Sequence, residues 1–188
     1  LFIVMGTLFL VLTGCSKKDN SSSNKISIVT STNVYADIAQ NVLGKYGKAT
    51  AIITSSSTDP HDFEPTTADA KKVQDAKIIV ANGLGYDSWL AKLAKSSNKS
   101  AVLVGEDLMN LKSGDNPHIW FDLNMPTKYV NYLVKRLSKI DKKHANYYKE
   151  HGTKYLEKIK KVQKMADSID GTKQKPVYVS EPVFDYAL

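Results

Sequence analysis

The chain has 188 residues, a formal net charge of +7 and 42% hydrophobic residues. That hydrophobic content supports a packed core and excludes a wholly disordered chain, and the length fits one domain plus part of a second. Arg136 is the only arginine among the 26 cationic residues, although arginine is the residue that base and phosphate recognition favours. We therefore predict no nucleic-acid partner, despite the basic charge.

The first fourteen residues form an uncharged apolar run. The run is shorter than the roughly 20 residues that span a membrane, but it has the length of the hydrophobic part of a signal peptide. No cationic segment and no initiator Met precede it, so we expect residues 1–14 to be the remnant of a signal peptide. Leu12-Thr13-Gly14-Cys15 then matches the bacterial lipobox, which predicts lipidation of Cys15. Because Cys15 is the only cysteine, an intrachain disulfide is excluded.

Residues 15–25 are polar and unpatterned, which is typical of a flexible tether. Together with a lipid on Cys15, this segment predicts an extracytoplasmic protein that is anchored to the cell membrane in the Gram-positive manner. Several acyl chains on one cysteine would hold the protein firmly, whereas a single chain gives marginal binding.

Short apolar strands alternate with helical segments from residue 26 onward. The predicted strands cover residues 26–30, 49–53, 77–81 and 101–104. The first predicted helix covers residues 33–43 and has Val34, Ile38 and Val42 on one face. The second is capped by Thr66 or Thr67 and runs to about Asp75. The third and fourth cover residues 86–94 and 126–140. This alternation predicts an α/β lobe over residues 26–140, with a parallel sheet and helices on both faces.

A single apolar stripe follows this lobe. The stripe consists of Tyr148, Gly152, Tyr155, Ile159, Val162, Ala166 and Ile169. The spacing, alternately four and three residues, predicts one long helix that begins at Asp141. We interpret residues 141–170 as a helix that links two lobes. Residues 171–188 are interpreted as the beginning of a second α/β lobe, with a strand over residues 176–180. We expect the chain to be a fragment that is truncated at both ends.

Two similar segments each place a histidine directly after a proline, namely Asp59-Pro60-His61-Asp62-Phe63-Glu64-Pro65 and Asn116-Pro117-His118-Ile119-Trp120-Phe121-Asp122. Proline stiffens the backbone at each histidine, and neutral imidazole is the commonest metal ligand. Both segments follow predicted parallel strands, whose carboxyl ends share one edge of the sheet. We therefore predict that His61 and His118 converge on one cation.

The other polar residues near these segments, and the remaining histidines, are assigned lesser roles. Glu64 and Asp122 are predicted to support the loops or to orient the imidazoles. Trp89 and Trp120 are predicted to pack. His144 and His151, which lie on the linking helix, are predicted to be exposed to solvent.

The ordered motifs resemble a known family. The lipobox, the two histidine segments, Asn-Gly-Leu-Gly-Tyr-x-x-Trp-Leu at residues 82–90 and Ser-Glu-Pro-Val-Phe at residues 180–184 are similar to those of the metal-binding lipoproteins of manganese and zinc ABC importers, some of which were first described as surface adhesins. The resemblance implies two α/β lobes that hold a metal between them. It also implies His61, His118 and Glu181 as ligands and an Asp beyond Leu188 as the fourth. We expect a monomer that delivers its metal to an ABC permease.

The identity of the metal and the class of function leave alternatives open. Two imidazoles and two carboxylates accept both Mn²⁺ and Zn²⁺. The resemblance favours Mn²⁺, because Glu181 stands where zinc members commonly carry His and because residues 111–115 contain no His-rich insertion. We predict that the protein is not an enzyme. The alternatives are a secreted metallohydrolase, which Pro60 and Pro65 disfavour because they interrupt the helix that a zinc-protease motif needs, and a surface adhesin with a structural metal.

Overall fold

The computed structural model describes residues 25–169, residue 176 and residues 178–187. The predicted signal remnant, the lipidation site at Cys15 and the tether up to residue 24 lie outside the described residues. Within the described part of the chain, no helix is both long enough and apolar enough to cross a membrane.

Four parallel strands form one sheet in the order β2-β1-β3-β4. The strands are β1 (Ile26–Thr32), β2 (Gly47–Ile53), β3 (Ile78–Ala81) and β4 (Val102–Leu103). The helices are α1 (Asn33–Leu43), α2 (Thr67–Asp75), α3 (Ser88–Ser96), α4 (Met125–Ile140) and α5 (Ala145–Asp167). The prediction of an α/β lobe with a parallel sheet is confirmed.

Helices cover both faces of the sheet, as predicted. Ile28 and Val80 point to one face, where they join a core with residues of α1, α4 and α5. Their neighbours Val29 and Ile79 point to the opposite face, where they pack with residues of α2 and α3. This alternation follows from the two-residue period of a strand, and burial on both faces explains why β3 is apolar throughout.

The ends of the first two helices follow their sequence signals. Helix α1 ends at Gly44, whose φ of +56° is readily available to glycine. Thr66 caps α2: its hydroxyl accepts a hydrogen bond from the Asp69 amide, and the Asp69 carboxylate accepts one from the Thr66 amide. The structure thus selects Thr66 over Thr67 as the cap.

The buried face of α1 differs in part from the prediction. Ile38 and Val42 are buried as expected, but Val34 is 38% exposed. Tyr35, one residue later, is fully buried instead, and its ring packs edge-on against Tyr129 of α4. In the first turn of α1, the residue that packs against α4 is therefore Tyr35 and not Val34.

Strand β4 is shorter than predicted, because a single π-helical turn over Val104–Leu108 follows it directly. The amide of Met109 donates to the carbonyl of Val104, and the Asp107 carboxylate accepts a bond from the amide of Leu103. No pattern in the sequence predicts this turn. It begins the connection that leads from β4 to the second histidine segment.

The prediction of one continuous helix from Asp141 is wrong in its first turn. Helix α4 ends at Ile140, residues Lys142–His144 form a 3₁₀ turn, and α5 begins at Ala145. Asp141 adopts a non-helical backbone (φ −129°, ψ 77°). Its carboxylate accepts bonds from His144 Nδ1 at 2.7 Å and from the Tyr148 hydroxyl at 2.8 Å. These bonds, to His144 just before α5 and to Tyr148 within it, explain why the helix is interrupted at Asp141.

Only the first half of α5 packs on the lobe. Tyr148 and Gly152 are buried against α1 and α4, and a Cβ on Gly152 would lie 2.6 Å from a methyl group of Val134. The second half of the apolar stripe is open to solvent, since Val162 is 48% exposed and Ile169 is 76% exposed. A helix that extends beyond the lobe is compatible with the predicted linking role.

The two histidines of this region are partly buried, which contradicts their predicted exposure. His144 stacks on Tyr46 at 3.7 Å between ring centroids, and His151 stacks on Tyr147 at 3.9 Å. His151 Nδ1 also lies 3.0 Å from the carbonyl oxygen of Asn41. Packing of α5 against α1 and the turn after it covers both imidazoles.

The prediction of a strand at residues 176–180 is wrong for the residues that the structure describes. Residues 176 and 178–180 form no strand, and Tyr178 is 94% exposed. Val177 lies outside the described residues. A strand needs a neighbour to pair its backbone groups, and each of the four strands of the sheet comes from residues before 104.

Candidate metal centre

A cleft of about 890 Å³ lies at the carboxyl edge of the sheet. His61, which follows β2, and His118, which follows β4, both line it, as does Glu181. Tyr86, which follows β3, lies beside both imidazoles, with ring-centroid distances of 4.8 Å to His61 and 6.3 Å to His118. The three predicted ligands therefore share one cleft. Among the described residues, however, no three His, Cys, Asp or Glu side chains are close enough together to hold a metal ion.

The first histidine is oriented by the residue two positions before it. Asp59 Oδ1 accepts the His61 amide at 2.9 Å and lies 3.0 Å from His61 Nδ1. The bond from the His61 amide is the main reason why the pKa of the Asp59 carboxyl is lowered, with a further contribution from the imidazole. Since a carboxylate only accepts hydrogen bonds, Nδ1 carries the proton of a neutral imidazole and Nε2 keeps its lone pair.

The second histidine is held by the same arrangement. Asn116 Oδ1 accepts the His118 amide at 3.0 Å and lies 2.6 Å from His118 Nδ1. The Asn116 amide nitrogen donates instead to the carbonyl of Pro182 at 2.6 Å, which leaves the oxygen facing the imidazole. His118 Nε2 is therefore also the nitrogen with a free lone pair. Both loops thus present the nitrogen that a metal would use.

The orienting residues differ from those predicted. Asp122 supports its loop, because its carboxylate accepts the Asn124 amide at 2.8 Å, and Glu64 is exposed. The imidazoles are oriented by Asp59 and Asn116 instead. The signal that could have revealed this was the Asx-Pro-His order in both segments, because Asp and Asn side chains bond the backbone two residues further on.

The loop after β3 is built from buried polar contacts. The Asp87 carboxylate, which is 1% exposed, accepts the amides of Asn82 at 2.6 Å and Gly83 at 3.0 Å. Burial raises the pKa of this carboxyl. Glu106 accepts the amide of Leu84 at 2.8 Å. Asp87 and Glu106 were not predicted from the sequence, because no spacing pattern marks a carboxylate that bonds nearby amides.

The two tryptophans pack as predicted. Trp89 lies 4.7 Å from Phe63 between ring centroids. Trp120 lies 5.1 Å from Tyr86 and 5.2 Å from His118, so it forms part of the wall beside the second histidine.

The segment that carries Glu181 is attached to the second histidine loop. Besides the bond from Asn116 to Pro182, the Tyr186 hydroxyl donates to the Asn116 carbonyl at 2.8 Å. Phe184 packs edge-on against Phe121 at 4.9 Å. These contacts bring the exposed carboxylate of Glu181 to the cleft. The His61–Glu64 segment is a loop and lacks the helix that a zinc-protease motif requires.

The sequence profile of the family described as "Zinc-uptake complex component A periplasmic" (ZnuA) matches residues 28–188. The chain belongs to this family. It is 30% identical to the metal ABC transporter substrate-binding lipoprotein SloC of Streptococcus mutans, over 99% of this chain and 66% of SloC. It is 27% identical to the manganese-binding lipoprotein MntA of Halalkalibacterium halodurans, over 98% of this chain and 65% of MntA. The chain therefore spans about two thirds of the length of these relatives.

Solved structures share the fold. A periplasmic metal binding protein from Candidatus Liberibacter asiaticus superposes with a TM-score of 0.67 at 26% identity, over 77% of this chain and 56% of the other. The Zn(II)-bound AdcA of Streptococcus pneumoniae superposes with a TM-score of 0.72 at 22% identity, over 86% of this chain and 36% of AdcA. Both comparisons agree with the α/β architecture described above.

Proposed function

We propose that the protein is an extracytoplasmic solute-binding lipoprotein that captures a divalent transition metal and delivers it to an ABC permease. The observation that carries the proposal is the pair of imidazoles in one cleft, each with Nδ1 bonded to an Asx side chain and Nε2 available. The names of SloC and MntA as transporter or metal-binding lipoproteins support it. Like those proteins, it would bind and carry a solute rather than catalyse a reaction.

His61, His118 and Glu181 are the proposed ligands of the transported metal. Neutral imidazole nitrogen and carboxylate oxygen together suit a divalent ion of intermediate hardness. The three side chains line the same cleft but are not gathered into a ligand cluster. An Asp beyond Leu188 is the proposed fourth ligand.

Manganese is the proposed metal, with zinc as the alternative. A carboxylate oxygen at position 181 favours the harder Mn²⁺ more than a third imidazole nitrogen would. The relatives include proteins named for manganese, such as MntA and the PsaA of Streptococcus mitis, which is 29% identical to this chain over 97% of its length. The Zn(II)-bound AdcA shares the fold alone, and thermodynamic affinity at the same ligands favours Zn²⁺. Supply in the cell would then decide which ion is carried.

The proposed location follows from the lipobox. A lipid on Cys15 would anchor the protein to the outer face of the cell membrane, and residues 16–25 would let a monomeric lobe reach its permease. The lipoprotein names of SloC and MntA support this location.

Calorimetric titration of the full-length protein with Mn²⁺ and Zn²⁺ tests the proposal. His61→Ala and His118→Ala should each weaken binding by at least about tenfold, because each removes one ligand nitrogen from the cation. His151→Ala is the matched control, since that imidazole packs on Tyr147 outside the cleft. Unchanged affinity in both cleft variants would reject the site and with it the proposed function.

A further inference from the structure

We propose that Asn82 and Trp89 are positioning residues that hold the two histidine loops at a fixed separation from each other. This inference rests on the proposed function, since it concerns the same pair of histidines. Neither residue lines the cleft. Each acts through the backbone of a histidine loop.

Each of the two side chains donates a hydrogen bond to the carbonyl of the proline before a histidine. Trp89 Nε1 donates to the Pro60 carbonyl at 3.0 Å, and Asn82 Nδ2 donates to the Pro117 carbonyl at 3.0 Å. The two bonds join positions that are 29 and 35 residues apart in the chain. They are therefore contacts between separate loops and not features of a single turn.

As a result of these bonds, the peptide unit that precedes each histidine is hydrogen-bonded at both its carbonyl and its N–H. The peptide unit between Pro60 and His61 has its carbonyl bonded to Trp89 and its N–H bonded to Asp59. Because a peptide unit is planar, bonds at both ends fix its orientation and hence the direction in which the His61 side chain leaves the backbone.

The second loop repeats this arrangement with a different donor. The carbonyl of Pro117 accepts from Asn82, and the N–H of His118 donates to Asn116. Two bonds again fix the peptide unit before the histidine. The same oxygen of Asn116 also orients the His118 imidazole, so backbone and ring are held together.

Asn82 and Trp89 belong to one rigid segment. Asn82 is fully buried and Trp89 is 9% exposed. Asp87 lies between Asn82 and Trp89 in the sequence, and its carboxylate accepts hydrogen bonds from the backbone amides of Asn82 and Gly83. On its other side, the Asn82 oxygen accepts the Tyr35 hydroxyl at 2.5 Å, which ties the segment to the core. A single buried element therefore fixes both histidine loops.

The inferred role is preorganisation of the two imidazoles. If both loops are held by one segment, binding a cation does not require the two loops to order first, and the entropy of ordering them does not oppose binding. The cation would then meet a fixed pair of nitrogens.

Two variants of the full-length protein test the role. Trp89→Phe removes the indole N–H but keeps an aromatic ring against Phe63. Asn82→Asp keeps the shape and the acceptor for Tyr35 but removes the donor to the carbonyls of Pro117 and Gly83. Each should weaken Mn²⁺ binding about 10- to 100-fold, as loss of residues that support a metal ligand typically does. If Asn82→Asp does not fold, Trp89→Phe still decides the matter for the first loop.

A local readout separates positioning from general loss of stability. In the metal-free protein, Trp89→Phe should speed exchange of the His61 amide hydrogen and shift the His61 imidazole resonances, while those of His118 stay in place. Asn82→Asp should do the reverse. The matched controls are Phe63→Leu, which removes another contact of Trp89 but leaves its bond to the proline carbonyl, and Tyr148→Phe, which removes a hydroxyl bond to Asp141 away from the cleft. They should keep the affinity within about twofold of the unaltered protein.

The outcomes distinguish this inference from the proposed function. If His61→Ala and His118→Ala abolish binding while Trp89→Phe and Asn82→Asp bind as tightly as their controls, the positioning role is overturned and the metal site stands. If His61→Ala and His118→Ala leave binding intact, the proposed function fails and the inference fails with it. Weakened binding in both positioning variants, with the loop-specific changes, supports the inference.

Discussion

Asn116 orients His118: its side-chain oxygen accepts the imidazole Nδ1 proton at 2.6 Å and the backbone N–H of the same residue at 3.0 Å. Asp59 does the same for His61. We predict that Asn116→Ala and Asp59→Ala each weaken metal binding by about 10- to 100-fold, because the freed imidazole rotates and loses its fixed tautomer. Titration calorimetry with Mn²⁺ on the full-length protein measures the effect.

The chain supplies its own control for this prediction, because one loop uses Asn and the other Asp at the same position. Asp59→Asn keeps the accepting oxygen and should retain affinity within about threefold, since only the charge of the acceptor changes. Asn116→Asp also keeps that oxygen but loses the donor to the Pro182 carbonyl, so its affinity should fall between that of Asn116→Ala and that of the unaltered protein. If the alanine variants bind as well as the exchanged ones, the side-chain oxygens do not orient the ligands.

The sheet and its covering helices could be predicted because burial on both faces leaves an unambiguous local signal. Strands such as β3, with all four residues buried, read as short apolar runs, and Gly44 marks the end of α1 through its positive φ. The end of α4 at Ile140 was predicted, but the 3₁₀ turn between it and α5 could not be predicted in this way. Asp141 departs from the helix to bond His144 and Tyr148, and this choice depends on side-chain contacts rather than on the apolar period.

The candidate site was predictable to the level of loops but not of contacts. The order of strands in a parallel sheet places residues after β2 and β4 at one edge, and His61 and His118 both line the cleft there. Their convergence on one cation stays a prediction. The bonds from Trp89 to Pro60 and from Asn82 to Pro117 were not foreseeable. Each joins residues far apart in the chain, and a single sequence does not indicate which acceptor an indole or a carboxamide will bind.

Glu181 sets the oxygen content of the proposed site, and its replacement by an imidazole should change the choice of metal. We predict that Glu181→His lowers the ratio of Mn²⁺ to Zn²⁺ affinity by about tenfold or more, because a nitrogen donor favours Zn²⁺ over the harder Mn²⁺. Competition titration of the full-length protein with both ions measures the ratio.

The control for this change is Glu181→Gln, which keeps an oxygen donor but removes the charge. It should weaken both ions together and leave their ratio nearly unchanged. An unaltered ratio in Glu181→His, with both affinities retained, would mean that residue 181 does not bind the cation.

Gly83 and Gly85 offer a matched pair for testing how tightly the loop after β3 is packed. Both have similar positive φ angles, +84° and +85°, but a Cβ on Gly83 would collide with Glu106 Oε2, whereas one on Gly85 would meet nothing within 4 Å. Gly85→Ala should therefore cost about 1–2 kcal/mol of unfolding free energy through backbone strain alone. Gly83→Ala should cost about 1–3 kcal/mol more through overpacking. Urea unfolding measures both, and equal costs would show that Glu106 moves aside freely.

Asp87 should make the stability of the lobe depend on pH. Burial raises the pKa of its carboxyl in the folded protein above the ordinary value of 3.8. The unfolded chain therefore loses the proton at lower pH than the folded protein does. The stability that this group contributes is fully present below the ordinary pKa and is lost as pH rises toward the folded pKa. Asp87→Asn removes this titration.

The test is the difference in unfolding free energy between the unaltered protein and Asp87→Asn, measured by urea unfolding from about pH 4 to about pH 7. The difference should fall as pH rises, by about 1.4 kcal/mol for each unit by which burial raises the pKa. Burial opposes the charged form, but the amides of Asn82 and Gly83 donate to it at 2.6 Å and 3.0 Å and favour it. A difference that grows with pH would mean that these two bonds outweigh burial, and that Asp87 holds the loop more firmly as a carboxylate than as an acid.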